Sequence, residues 1–269
     1  GGNIRYYGAS PNNYIYFNCS DYSNQSSSTC ETWRIIGVFN DKVKLIRNES
    51  IGAYSWDNKE IDSTWETASL MKLLNPGYES ETTGGSLYYN AKSGNCYAGQ
   101  NNATKACDFT STGIKNDKTR GLISEETYSL LGWKTSGVYT NEIYEYERST
   151  GKVYSGRPTE WTGKIALAYP SDYGYAVDLS KCGQNLQDYN NNTCTSNNWM
   201  KTIIAPNYGW LLTPYSGGAD RAWDAGSSGD IGNGSACDAN GVAPVLSLNS
   251  ELAVKAGTGS SSAPYQLSA

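Results

Sequence analysis

The chain contains no histidine in 269 residues. That absence removes Ser-His-Asp and Cys-His nucleophilic triads, His-based zinc and haem sites, and the usual general base near neutral pH. Phenylalanine is scarce at 3 residues, methionine at 2, and charged residues make up only 17%. Net charge is −5 and no Lys/Arg cluster exceeds a pair, so nothing here attracts a phosphate backbone and no nucleic-acid partner is expected. No apolar run approaches the roughly 20 residues that cross a bilayer, so membrane contact is expected only through an N-terminal segment upstream of this chain. No Walker-type loop and no dinucleotide fingerprint is present, and the Gly-rich stretch Gly226 to Gly234 lacks the strand-to-helix setting that phosphate cradling requires.

What is present is tyrosine and tryptophan, 22 and 8 residues, with 29 glycines and many Asn, Ser and Thr. Such rings bury a large area and keep a polar handle, and the turn-forming residues imply many short elements. This composition suits an extracellular, β-rich protein. Seven cysteines fall into three local pairs plus one: Cys19 with Cys30, Cys96 with Cys107, Cys182 with Cys194, and Cys237. Each pair brackets a polar, turn-rich loop, which predicts disulfide staples made in an oxidising compartment; free structural thiols are the other reading. A staple over such a loop removes roughly 3 kcal/mol of unfolded-state entropy. Zinc is disfavoured, since no Cys-x-x-Cys spacing exists.

Alternation over Asn13 to Cys19 predicts a strand. Trp33 to Phe39 and Lys42 to Arg47 read as two strands joined by the turn Asn40-Asp41. Thr64 to Leu74 predicts a helix stopped by Asn75-Pro76-Gly77, and Ser124 to Leu131 a second helix with early Glu residues. Residues 84–121 lack a clear period and read as a stapled inserted loop. Thr162 to Pro170 reads as a buried strand, followed by a turn over Asp172 to Ala176. No linker divides the chain, which favours one domain over 1–269.

The stretch Trp210 to Leu248 is the most informative. Apolar runs Trp210-Leu211-Leu212 and Val242 to Leu248 frame a segment of small polar residues that carries Tyr215, Arg221 and Trp223. Rigid aromatic anchors among adaptable polar contacts are the composition of a binding surface. The sequence therefore predicts a ligand-contacting face over 215–240. Tyr215 and Trp223 would anchor, Asp220, Arg221, Asp224 and Asp230 would set charge complementarity, and Ser216, Ser227, Ser228, Asn233, Ser235, Asp238 and Asn240 would supply polar contacts. A tolerant surface loop is the plainer reading. No cofactor is expected, with structural calcium as an option through Asp57-Asn58, Asp220, Asp224, Asp230 and Asp238, none of which forms the EF-hand pattern. No catalytic residue is assigned. Paired carboxylates of a glycoside hydrolase, Asp172 with Glu145 or Glu147, are a remaining alternative. The plainer reading takes Glu142, Glu145 and Glu147 as a solvated strand or hairpin edge, and Asp172 as a turn residue.

Trp33-Arg34-Ile35-Ile36-Gly37, Lys44-Leu45-Ile46, Ser55-Trp56-Asp57, Trp65-x-x-Ala68-x-Leu70-x-x-Leu73-Leu74-Asn75, Trp210-Leu211-Leu212-Thr213-Pro214 and Gly241-Val242-Ala243-Pro244-Val245-Leu246 form a framework. It resembles a family of surface proteins of gut Firmicutes, some of which follow a type IV prepilin-like leader. The resemblance covers most of the chain. It implies an α+β, C-type-lectin-like fold of the kind shared with formylglycine-generating enzymes, in a single domain with disulfide-stapled insertions. It is also similar to the variable proteins of diversity-generating retroelements, in which C-terminal strands and loops vary on a constant backbone. Such variation would fall within 215–240, and it would account for the odd Cys237. The implied function is non-enzymatic binding of a protein or glycan ligand on another cell, phage or host surface, at an extracellular or cell-surface location. A structural, minor pilin-like subunit with pilin partners is the alternative. Three departures stand out. Ala243 replaces the arginine of the family's Gly-Val-Arg-Pro. The Glu-Pro-Asn and Trp-Asn-Asp motifs of calcium-dependent lectins are absent. The cysteine pair of the formylglycine enzymes has no counterpart.

Overall fold

The computed structural model describes residues 3–58, 61–99, 102–135 and 137–269. Two five-stranded sheets organise it, with short helices and three two-stranded ribbons around them. The protein is mixed α+β and mostly sheet.

The first sheet is built around the expected hairpin. Glu31–Phe39 pairs antiparallel with Lys42–Arg47, and Asn40 and Asp41 both take positive φ, 49° and 62°, as a two-residue turn matched to strand twist requires. Ile4–Arg5 and Tyr14–Phe17 add to Glu31–Phe39, and Val245–Ser247 adds to Lys42–Arg47. The second sheet runs in the order Ile231–Ser235, Arg221–Ala225, Gly209–Pro214, Asn240–Gly241, Ala53–Tyr54. Its centre, Gly209–Pro214, is buried along its whole length, as the run Trp210-Leu211-Leu212 predicts.

Residues 165–168 stitch the two sheets together. Ala166 exchanges both backbone hydrogen bonds with Val245 of the first sheet, at 2.8 and 2.9 Å. Two residues on, the Ala168 carbonyl accepts from Leu212 N–H of the second, at 2.9 Å. The strand predicted over Thr162 to Pro170 is thus a short ribbon strand, Glu160–Gly163, followed by this extended, buried connector. The core is largely aromatic. Trp56 packs edge-on against Trp65 and Trp210, and Trp65 against Trp161, with ring centres 4.9 to 5.8 Å apart. The framework tryptophans 33, 56, 65 and 210 are all fully buried.

Three local readings are corrected. Ser124 to Leu131 is not a helix: Glu126–Ser129 is a strand paired with Glu160–Gly163, and Tyr128 stacks on Trp161. Cross-strand aromatic packing outweighs a weak helical preference. The helix over Thr64 to Leu74 is broken at Ala68, whose ψ of 139° separates the short turn Trp65–Thr67 from the helix Ser69–Leu74. Glu142 to Glu147 is no hairpin edge; Thr140–Glu145 is helical, and it continues into a wide turn, Tyr146–Thr150. Residues 84–121 do leave the sheets, but Tyr88, Phe109 and Ile114 return to the main core. Gln100 and Asn101 of that segment lie outside the described residues.

Three disulfides form as the spacing predicts, Cys19–Cys30, Cys96–Cys107 and Cys182–Cys194. Disulfides of this number point to an oxidising, extracellular environment. No helix among the described residues is long and apolar enough to cross a membrane. Cys237 lies buried with its Sγ 3.4 Å from Ser235 Oγ.

Candidate functional site: the hairpin 221–235 and the buried charge cluster

The segment 215–240 is ordered by pairing. Arg221–Ala225 runs antiparallel to the central strand Gly209–Pro214 and to the sheet-edge strand Ile231–Ser235. The chain then crosses to the far side of the central strand, where Asn240–Gly241 pairs with Ala53–Tyr54. The backbone is fastened by residues outside the segment. Asp57 N–H donates to the Ala236 carbonyl at 2.9 Å, Ser55 Oγ to the Cys237 carbonyl at 2.8 Å, and Ser63 N–H to the Ala219 carbonyl at 2.8 Å. The Arg157 guanidinium also donates to the Ala219 carbonyl.

The predicted contact residues separate into three groups. Trp223, Asp224 and Asn240 are buried, which corrects their expected role. Trp223 is 2% exposed and stacks face to face on Trp133 with ring centres 4.2 Å apart, while Tyr215 meets it edge-on at 5.4 Å. Its ring is a fastener between hairpin and scaffold, unavailable to a ligand. Asp224 turns to the opposite face, over Trp210, and accepts from Asn240 Nδ2 at 3.0 Å. A Cβ at Gly234 would lie 2.8 Å from Asp224 Oδ2, so that face admits no side chain at 234. Asp220, Arg221, Asn233, Ser235 and Asp238 form the second group at the open end of the hairpin. Register places Arg221 opposite Ser235, and Ala236 N–H bonds the Asp220 carbonyl at 2.7 Å. The Arg221 guanidinium donates to the Asn233 side chain and, at 2.6 Å, to its carbonyl. Asp238 accepts from Ser235 N–H at 3.0 Å. The third group, Ser227, Ser228 and Asp230, sits at the hairpin turn, roughly 20 Å away by strand rise. There Ser228 Oγ bonds Asp230 Oδ1 at 2.5 Å. Tyr215 and Ser216 lie beside Trp133 and Lys134 instead, Tyr215 Oη donating to the Lys134 carbonyl at 3.0 Å and Ser216 N–H to that of Trp133 at 3.2 Å.

A second concentration of charge was not visible in sequence. Asp172 lies in the first turn of the helix Pro170–Tyr175, fully buried, and accepts from Arg5 Nη1 at 2.9 Å, from Lys44 Nζ, and from Tyr169 N–H at 3.0 Å. It is the hub of an ion cluster, so the turn reading is corrected. Burial alone would raise its pKa, but Lys44 and then Arg5 overcome that and hold it well below the ordinary carboxylate range. Glu147 is buried too, accepting from Ser171 N–H at 2.9 Å and from Ser171 Oγ, with Arg148 Nη1 3.6 Å away. Burial pushes its pKa up to about 7 against those contacts. Both carboxylate side chains have 0% exposure, and Glu145 points to solvent instead. Asp172 therefore faces no common substrate space with Glu145 or Glu147. Among the described residues no three acidic, cysteine or histidine side chains gather as a metal cluster. The candidate calcium donors Asp57 and Asp224 are instead engaged by Ser69 and Asn240.

These buried acids set a pH dependence. Glu147 and Asp224, each shifted up to about 7 mainly by burial, hold a proton more tightly folded than unfolded. The stability linked to them is complete below their unfolded pKa values near 4 and is lost as pH rises through about 7. Asp172 acts oppositely, its contribution being present above pH ~4 and lost as acid protonates it. Tm should peak near pH 5 and fall towards pH 8. Glu147→Gln should flatten that slope by an amount on the order of 3 kcal/mol. A Tm series across pH for both proteins checks this, and parallel curves would contradict it.

Comparison of the chain with known protein families, curated proteins and solved structures returns no match.

Proposed function

We propose that this is an extracellular, surface-displayed binding protein with a C-type-lectin-like scaffold, whose recognition face is the open end of the hairpin, Asp220, Arg221, Asn233, Ser235 and Asp238. One observation carries the reading. The backbone here is fastened from outside the segment, through Asp57, Ser55, Ser63 and Arg157, yet among the described residues the side-chain hydrogen bonds of these five stay inside the segment. Such side chains are replaceable without loss of the fold, which is what a face of changeable specificity requires. An Arg fork and two carboxylates among short polar groups supply charge complementarity to a protein or glycan ligand. Variation of the kind made by diversity-generating retroelements would act on these positions and spare Trp223, Asp224, Gly234 and Asn240.

The test is a variant with Asp220, Arg221, Asn233 and Asp238 all changed to alanine. Screened beside the parent on a printed glycan array and an array of displayed extracellular proteins, it should lose the parent's hits. Each single change should move Tm by roughly 2 °C or less. Retained hits, or a collapsed fold, would reject the assignment of this face.

A further inference from the structure

A cleft of about 280 Å³ opens beside the buried ion cluster, away from the hairpin. Arg148 stands over it. Its side chain is 31% exposed and its guanidinium lies 4.4 Å from the ring centre of Tyr169 and 4.8 Å from that of Tyr144. Among the described residues its one ionic contact is Glu147 at 3.6 Å, and no hydrogen bond engages its fork. A guanidinium held between two rings with free donors is preorganised for a planar anion. The second observation is Tyr128, which lines the same cleft. It is 5% exposed, and among the described residues its buried hydroxyl has no hydrogen-bond partner. A buried hydroxyl of this kind costs stability unless water or a ligand satisfies it.

The surrounding charges favour an anion. Lys44 lines the cleft and Arg5 lies behind it, both on Asp172. Glu126 lines it as well, but Lys42 neutralises that carboxylate at 2.6 Å. Burial pushes the Glu147 carboxyl up to about 7, which weakens its hold on Arg148. The remaining lining is mostly uncharged and polar, Asn3, Asn40, Thr127, Ser129 and Ser247, with Phe39 and the tyrosine rings. A cleft of this size suits one small ring, and the hydroxyl and amide rim suits a hydroxylated ring over an apolar acid.

We propose that this cleft binds the carboxylate of an acidic sugar residue, with Arg148 as the fork that holds it and Tyr128 as the second donor. It is a site separate from the hairpin face, and it stands whether or not that face binds anything. The experiment titrates the protein with D-glucuronate, followed by amide chemical shifts, with D-glucose and inorganic sulfate as controls. Glucuronate should give saturable shifts at residues around the cleft, and glucose none. Arg148→Gln should weaken glucuronate at least about tenfold, as expected for loss of a charge-assisted pair. Tyr128→Phe should weaken it about fivefold, as expected for one neutral hydrogen bond. Arg148 makes no hydrogen bond to the described scaffold, and without it the buried Glu147 can take up a proton, so its replacement should leave the spectrum folded. If it does not, Arg148→Lys, which keeps charge and loses the fork, should still bind several-fold more weakly. No saturable binding of glucuronate would overturn the proposal. So would equal binding of glucose, sulfate binding as tight as glucuronate (an anion trap only), or arginine variants that bind like the parent.

Discussion

Trp223→Ala should lower stability by about 3–5 kcal/mol and Tm by roughly 10 °C. The indole is 2% exposed and stacked on Trp133 with an interplanar angle of 13°. Its removal deletes that stack, leaves a cavity at the root of the hairpin, and frees Tyr215 from its edge contact. Trp223→Phe should cost much less. It keeps a ring against Trp133 and removes a buried indole N–H that has no partner among the described residues. Thermal unfolding and near-ultraviolet circular dichroism of the three proteins decide the matter. An unchanged Tm in Trp223→Ala would restore the ring to the outer face as a ligand anchor. Arg221→Ala, on the same strand two residues away, should move Tm little, because its partner Asn233 lies within the same hairpin and remains solvated.

The second large effect concerns Asp172. Asp172→Asn leaves Lys44 and Arg5, with side chains 7% and 12% exposed, facing a neutral amide in the interior. Breaking a buried ion cluster from one side costs about 3–5 kcal/mol, since the remaining charges keep their desolvation penalty. The damage should spread to the N-terminus, because Arg5 sits on the two-residue strand that pairs with Val38 and Gly37. Hydrogen exchange at Tyr6, whose N–H bonds the Ile36 carbonyl at 3.0 Å, should accelerate with it. Replacing the whole cluster, Arg5→Met and Lys44→Met with Asp172→Leu, should recover much of the loss, since apolar side chains of similar volume need no compensation. If the triple variant is no better than Asp172→Asn, the cluster contributes through geometry that charge balance does not describe.

Local features were legible and tertiary ones were not, and particular residues show the division. The Asn40-Asp41 turn was readable because a two-residue hairpin loop demands φ > 0 at both positions. The three disulfides were readable because each closes a loop of 11 or 12 residues around turn-forming side chains. Ser124 to Leu131 misled because a Ser followed by Glu residues satisfies helix-start chemistry locally, while the strand it forms is stabilised by Trp161 more than thirty positions away. Glu147 read as solvated because nothing nearby in sequence announces Ser171, whose N–H and Oγ both reach it.

Along the hairpin the two levels divide within one strand. Alternation puts Arg221, Trp223 and Ala225 on a single face of the strand Arg221–Ala225. Only the assembled molecule decides how far the covering layer extends. Trp133 and Tyr215 close over the middle of that face and leave its end open, so one residue becomes core and its neighbour surface. Asp172 follows the same rule. Its partners Lys44 and Arg5 arrive from 128 and 167 positions away, and the charge of a buried carboxylate depends on what folding brings beside it. Composition, turn chemistry and cysteine spacing act over a few residues and are written in the chain. Burial and charge pairing are properties of the packed interior, where distant segments meet.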